Sequence, residues 1–231
     1  MNNIKYSIVI PTYKHLDDCL KPCLESIVKT TDLSNVEVIV VANGCGEDGT
    51  KEFVESLGES FKLVWEIEPI GYTKATNIGI IKSIGEYVIL LNNDCRLLDW
   101  QYKSQWINLL EAPFLNDEKM AITGTSKGYD PNFNFWHLIF FCVMIPKKIF
   151  DELGLLDEIF NPGAGEDTDF CARVKLAGYK FLQIPVDKDA YEYSTTFPIY
   201  HVGGTTMNEI SDRTFMDNNN RGLGERYKGK I

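Results

Sequence analysis

The sequence predicts an α/β fold in which a mostly parallel central sheet carries helices on both faces. Three observations lead there. Short apolar runs rich in β-branched and aromatic residues, Tyr6–Ile10, Val36–Val41 and Tyr87–Leu91, show no polar alternation, as expected of strands buried on both faces. Segments with helical spacing of apolar residues separate these runs, and short strand–helix–strand connections imply right-handed parallel crossovers. The chain of 231 residues, with 44% hydrophobic and 24% charged residues, is long enough for one large globular domain with a full core.

Taken in order, Tyr6–Ile10 forms the first strand and Pro11 ends it. Leu16, Leu20, Leu24 and Ile27 then recur at helical spacing. Val36–Val41 is a second strand, followed by the turn ANGCGEDG, where Asp48 is placed to cap a helix carrying Phe53, Val54 and Leu57 and stopping near Gly58. Phe61–Glu66 is a third short strand, and GYTKATNIGIIKSIG is a loop entering a helix that stops at Gly85. The strand Tyr87–Leu91 breaks off abruptly into Asn92, Asn93 and Asp94. Residues 111–137 read as a loop-rich stretch of Gly, Pro, Asn and aromatics. FFCVMIP is another buried strand, and Pro146 can begin the helix PKKIFDELG at its first turn. GEDTDFCARVKLAGYK is a helix with acids at its start, an apolar face of Phe170, Val174 and Ala177, and Gly178 at its end. From Asn208 the chain is polar and Gly-containing, and reads as a lid or a poorly ordered end.

Charge and composition exclude several classes. With 23 basic and 33 acidic residues the net charge is −10, the wrong sign for a nucleic-acid binder or for docking on an anionic membrane. No apolar stretch approaches the ~20 residues that a membrane span needs. The opening MNNIKYSIVIPTY lacks the layout of a signal peptide. The six cysteines, at 19, 23, 45, 95, 142 and 171, are scattered and form no CxxC pair. That usage fits a reducing, cytoplasmic setting, and no structural zinc site is expected.

Four places carry candidate chemistry. The turn IPTYKHLDD follows the first strand where a dinucleotide-binding protein would have GxGxxG, and neither that motif nor a P-loop is present. Pro11, Thr12 and Tyr13 instead offer backbone groups and an aromatic ring at a strand's carboxyl end, where ligands of open α/β sheets bind. Asp94, with Asn92 and Asn93, either caps the following turn or holds a divalent cation that grips a diphosphate. GEDTDF, 165–170, packs three acids into a helix start. A cap at Asp167 or Thr168 needs only one, and clustered carboxylates raise one another's pKa, which suits a general base. His201, in YHVGGTT, precedes two glycines that let backbone approach a ligand, and its imidazole can complete a metal site. His15 and His137 read as surface or packing residues, with His137, beside Trp136, also placed to touch an acceptor.

With these places in hand, the sequence resembles the family 2 glycosyltransferases of GT-A fold. SIVIPTYKH opens the match. VIVVANGCGEDGT resembles the family's VVDNGSxDGT, GYTKATNIGI its GxAxAxNxGI, and YVILLNNDCRLL the strand carrying its DXD motif. FFCVMIPKKIFDELGLLDEIF resembles the stretch before the catalytic loop, and GEDTDFCARVKLAGYK resembles xEDxDLxLRxxxAGY. Each motif alone is weak; together they run in the family's order over almost the whole chain.

The resemblance implies a single domain over 1–231, with a nucleotide-sugar-binding half (1–98), a metal and acceptor half (99–207) and the C-terminal tail or lid (208–231). Pro11, Thr12 and Tyr13 would line the nucleobase pocket, and Lys74 and Asn77 would approach the ribose or diphosphate. Asn43 adjoins the position of a base-contacting Asp in the family, which here is Ala42. Asn92 stands at the first acid of DXD and Asp94 at the second, with Asn93 between them facing the donor. Asp94 and His201 would hold Mn2+ or Mg2+, and Asp167 would be the general base, with Glu166 its competitor. The implied reaction is inverting transfer from a nucleoside-diphosphate sugar, a UDP-sugar or dTDP-rhamnose, to a hydroxyl of a glycan or glycolipid. The departures at Ala42 and Asn92 leave open a non-catalytic nucleotide-sugar-binding protein of the same fold.

Overall fold

Successive residues of the first strand, β1 (Tyr6–Thr12), are all buried, and they are divided between two cores. Tyr6, Ile8 and Ile10 belong to one hydrophobic cluster and Val9 to another on the opposite face. That division is the physical meaning of an apolar run without alternation. Each fully buried Val or Ile contributes about 1.5–3 kcal/mol relative to exposure. A computed structural model describes residues 4–99, 104–186, 196–204 and 212–231.

The elements that follow are α1 (Lys21–Thr30), entered through a π-helical turn (Leu16–Leu20), then β2 (Val36–Asn43), α2 (Thr50–Ser56), β3 (Phe61–Glu66), α3 (Tyr72–Lys82) and β4 (Tyr87–Leu91). After them come β5 (Cys95–Leu97), α4 (Gln105–Asn116), β6 (Met120–Gly124), β7 (Lys127–Asp130), β8 (Phe135–Leu138), β9 (Cys142–Pro146) and α5 (Lys147–Leu153). The rest is α6 (Glu166–Leu176), β10 (Lys180–Gln183), β11 (Ile199–His201) and α7 (Thr214–Tyr227). Among the described residues, the main sheet has seven strands in the order β10-β6-β9-β4-β1-β2-β3. The pairs β1–β2, β1–β4, β2–β3 and β6–β10 are parallel, and β9 runs antiparallel to both β4 and β6. The mostly parallel α/β sheet expected from the sequence is the observed one.

Local chemistry explains the element ends. Gly49, not Asp48, is the N-cap residue of α2; Asp48, one residue before it, accepts at Oδ1 from the Thr50 amide at 2.9 Å. Gly79 lies on the face of α3 that meets the sheet. A Cβ there would overlap Val9 Cγ1, so only glycine lets this helix sit so close. Buried Glu37 accepts from Ser7 Oγ at 2.5 Å and from the Ile84 amide at 2.8 Å, and pairs with Lys62 Nζ at 2.5 Å. Burial pushes its pKa up, but these partners outweigh burial and leave it lowered.

Three expectations are corrected. Pro11 does not end β1, which continues to Thr12. Its missing N–H costs nothing, because pairing with β4 stops at Val9 and only the β2 side remains paired at Pro11. Residues 111–137 are not loop-rich: they hold the end of α4, with Pro113 inside it, and the strands β6, β7 and β8. The C-terminal tail is not a poorly ordered end, since 214–227 is a helix with Asn219, Leu223 and Tyr227 buried. Residues 208–211 lie outside the described residues.

Helix α7 is fastened to α6 through Asp169, whose side chain is fully buried. Asp169 accepts from Arg173 Nε at 2.8 Å, Arg226 Nη1 at 2.6 Å and the Tyr227 hydroxyl at 2.5 Å. Replacing one member of a buried charged network leaves the others desolvated without a partner. Asp169→Ala should therefore cost about 3–5 kcal/mol, read as a lower urea midpoint at unchanged slope. An unchanged midpoint would show that the network does not fasten α7.

Candidate active site

Strand β4 stops at Leu91, and the chain turns at once. The Asn92 amide is taken by Phe141 O at 2.8 Å, and the Cys95 amide returns to Asn92 O at 3.2 Å. This tight turn puts Asn92, Asn93 and Asp94 beyond the carboxyl end of the sheet, where Pro11, Thr12, Tyr13 and Asn43 also end their strands. A cavity of about 600 Å³ opens there, a size that suits a small-molecule or cofactor ligand. All seven of those residues line it, and Glu166 and Asp167, from the first turn of α6, line it as well.

Asp94 is held from several directions. Strand β11 pairs antiparallel with β5, setting His201 opposite Cys95. The Val202 amide donates to Asp94 O at 3.1 Å and the Gly203 amide to Oδ2 at 3.2 Å. His201 Nε2 lies 3.1 Å from Oδ1. Burial raises the Asp94 pKa, but the hydrogen bond and charge of His201 and the amide bonds outweigh it, so the carboxyl is lowered. Phe141 stacks on the His201 ring with centroids 4.1 Å apart. A carboxylate oxygen of Asp94, the His201 nitrogen and Cys95 Sγ all lie within 4.8 Å of one another. The carboxylate suits Mn2+ or Mg2+ and the imidazole suits transition-metal ions, so Asp94 and His201 fit a divalent cation. His201 does not line the cavity itself and reaches it through Asp94. Thr205 and Thr206 lie outside the described residues.

Across the cavity, the acids of GEDTDF have separate tasks. Gly165, not Asp167 or Thr168, is the N-cap residue. Asp169 is spent on α7, as described above, which leaves Glu166 and Asp167 facing the cavity. Asp167 Oδ1 accepts from the Thr168 amide at 2.6 Å and its hydroxyl at 3.2 Å. Burial raises its pKa, with the charge of His137 and the Thr168 bonds opposing. Glu166 is 6% exposed, and its Oε2 has no hydrogen-bond partner among the described residues. Burial and the neighbouring Asp167 charge push its pKa well above the usual carboxylate range.

The other candidate residues lie outside the cavity lining, which revises the expectation for Asn77 alone. Asn77 is 2% exposed and does not approach the cavity. Its amide is bonded both ways to Leu156, Nδ2 to the carbonyl at 2.9 Å and Oδ1 from the amide at 3.1 Å, so it ties α3 to the 156 loop. Lys74 is exposed on the first turn of α3 and does not line the cavity either. His137 is a buried packing residue on β8, close against Gly128, and not a cavity residue. His15 is a surface residue paired with Asp18 at 2.9 Å.

Other site residues escaped the sequence reading. The Tyr72 hydroxyl lies 3.2 Å from both Asn92 Oδ1 and Phe140 O. Burial pushes its pKa up, and the charges of Glu166 and Asp167 push it further, so it remains a proton donor. Asn161 Nδ2 donates to Ile70 O at 2.8 Å, and the Tyr72 amide donates to Pro162 O at 2.8 Å, clasping two cavity loops together. Gly71, at φ +89°, lies under Asn161, where a Cβ would overlap the Asn161 amide. The only sequence signals for this clasp are GY at 71–72 and NPGAG at 161–165, and neither names its partner.

Comparison with known proteins follows the same lines. The pattern described as glycosyl transferase family 2 matches residues 7–170. The chain belongs to that family and carries its glycosyltransferase domain. Over 212 residues it is 22% identical to the O-antigen biosynthesis protein RfbC of Myxococcus xanthus, covering 77% of this chain and 16% of that protein. The fold is similar to that of GalNAc-T7 crystallised with UDP, GalNAc and Mn2+, at TM-score 0.67 and 17% identity, covering 78% of this chain and 42% of that one. It is also similar to the mannosyltransferase PcManGT of Pyrobaculum calidifontis in complex with GDP-Man and Mn2+, at TM-score 0.61 and 17% identity, covering 79% and 55%. This chain thus spans less than two thirds of each of these proteins.

The buried Glu166 makes a prediction on stability. A carboxyl whose pKa is raised on folding contributes stability that is fully present below its unfolded pKa, near 4.3, and lost as pH rises through its folded value. Glu166→Gln cannot ionise. Its melting temperature should therefore gain on wild type as pH rises from about 5 to about 9, by about 2–4 °C for each kcal/mol. A gap independent of pH would mean that Glu166 is not held protonated.

Proposed function

We propose that the protein moves a sugar from a nucleoside-diphosphate sugar to a hydroxyl of a glycan or glycolipid acceptor, with inversion at the anomeric carbon. A single observation carries this reading: Asp94, backed by His201, and Asp167 line one cavity. A leaving diphosphate and an incoming alcohol need those two kinds of group on opposite sides of one carbon. The GT-A neighbours named above, with nucleotides and Mn2+, support the same reading.

The donor's base would lie against Pro11, Thr12, Tyr13 and Asn43. Ala42 is fully buried between Thr12 and Trp65 in the sheet and offers no carboxylate to a base N–H. A UDP-sugar is the favoured donor, with dTDP-rhamnose next. Asn43 Oδ1 is occupied by the Ile70 amide at 2.6 Å, so its side chain shapes the pocket by holding the 70 loop. Asn92 presents its amide oxygen to Tyr72, which leaves Nδ2 as a hydrogen-bond donor for a phosphate oxygen. That accounts for an amide where the family has an acid.

Asp94 and His201 would hold a divalent cation, which supplies positive charge beside the diphosphate as it leaves. Asp167 accepts the proton of the acceptor hydroxyl at a carboxylate oxygen. As it does so, the acceptor oxygen bonds to the anomeric carbon and the bond to the diphosphate oxygen breaks. One displacement of this kind inverts the configuration and needs no enzyme nucleophile. The raised pKa of Asp167 suits a base working near neutral pH.

Asp167→Asn should lower turnover by about 10²–10⁴-fold, with UDP binding in the presence of Mn2+ unchanged by calorimetry. If Asp167→Asn keeps wild-type turnover, Asp167 is not the base. Loss of transfer in Glu166→Gln alone would then give that role to Glu166.

A further inference from the structure

We propose that Cys95 is a third protein ligand of the cation site formed by Asp94 and His201, giving that site a preference for thiophilic cations such as Zn2+ and Cd2+ over Mg2+. The inference rests on the reading of Asp94 and His201 as a cation site.

The geometry comes from the small sheet beneath the cavity. In the antiparallel pair of β5 and β11, His201 stands directly opposite Cys95. Side chains directly opposite each other in such a pair leave the same face, with Cβ atoms about 4.5–5.5 Å apart. Asp94 precedes Cys95 in the chain, and its carboxylate already meets His201 at 3.1 Å. The three donor atoms lie within 4.8 Å of one another. Two ligand atoms bound tetrahedrally to one zinc ion at about 2.0–2.3 Å lie about 3.3–3.8 Å apart. A small side-chain adjustment therefore brings all three onto one cation.

Cys95 is 1% exposed, with Sγ 3.6 Å from Phe141 O, and the Phe141 ring stacks on His201. One residue thus steadies both the thiol and the imidazole. Carboxylate oxygen alone suits Mg2+ and Mn2+, imidazole suits several transition metals, and thiolate selects for Zn2+ and its softer relatives. On binding, the S–H bond breaks, the proton passes to solvent and a sulfur–metal bond forms, with no change of oxidation state.

Cobalt reads this directly, because a thiolate bound to Co2+ gives a sulfur-to-metal charge-transfer band in the near ultraviolet. One other trio of potential donors, His15, Asp18 and Cys19, occurs among the described residues. The titrations are therefore made on the full chain carrying Cys19→Ser, with Cys95→Ser, Cys95→Ala and Asp94→Asn added singly. The parent should develop the band to one equivalent of Co2+. Both Cys95 variants should lose it and bind Zn2+ at least ~10–100-fold more weakly, while still binding Mn2+. No band in the parent, or a band that survives in the Cys95 variants, overturns the proposal. If Mn2+ binding still depends on Asp94 in that case, the cation site itself stands. If Asp94→Asn leaves Mn2+ binding untouched, the underlying site reading fails and the Cys95 proposal falls with it.

Discussion

One carboxylate at the end of a central strand organises the molecule's functional end. Asp94 is almost buried, and a buried carboxylate is tolerated only where hydrogen bonds and opposite charge offset its lost hydration. Here the Gly203 amide and His201 stand as the partners of its two carboxylate oxygens. Those partners exist only because β11 returns to pair with β5, far along the chain. The arrangement fixes the position of one anionic group to within the tolerance of a strand ladder, which a flexible loop could not do. The same constraint explains why the cavity forms at this end of the sheet: β1, β2 and β4 all finish there.

The opposite wall is built by a different device. Helix α6 carries three acids in its first turn. Only Asp169 points to a fully satisfied network, while Glu166 and Asp167 face the cavity under desolvation. Helix α7 holds this wall in place. Beyond the Arg226 and Tyr227 contacts, Asn219 Nδ2 donates to the carbonyls of Gly163 and Ala164 at 3.1 and 2.8 Å. These residues belong to the loop that lines the cavity and clasps Ile70 and Tyr72. The C-terminal helix is therefore a buttress of the site, although it lies beyond the region matched by the family.

The legible parts of the sequence were those where one local signal sufficed. Apolar runs such as Val36–Val41 disclosed the buried parallel strands, and the end of Tyr87–Leu91 in Asn92–Asp94 disclosed the rim of the cavity. What stayed hidden depends on partners distant in sequence. Asn77 looked available for a ligand, but Leu156 takes its amide in both directions, and no local pattern announces that bond. Tyr72 reads as a helix-start aromatic until its hydroxyl is found on Asn92 and Phe140. Residues 111–137 misled because Pro113 interrupts the helical pattern of α4 and the strands beyond it are short. Helix α7 misled because its sequence, TFMDNNNRGLGERY, is polar with two glycines. Tertiary contacts at Asn219, Leu223 and Tyr227 override that weak propensity.

The central claim is spatial: a cation held by Asp94 and His201 on one wall and a carboxylate base on the other, sharing a single cavity. Crystals soaked with Mn2+ and UDP, measured at the manganese absorption edge, test it most directly. The account predicts one anomalous peak bonded to Asp94 and His201, with the UDP diphosphate beside it and Asp167 facing the same space. A peak bonded instead to Glu166 and Asp167, or one outside this cavity, would contradict it.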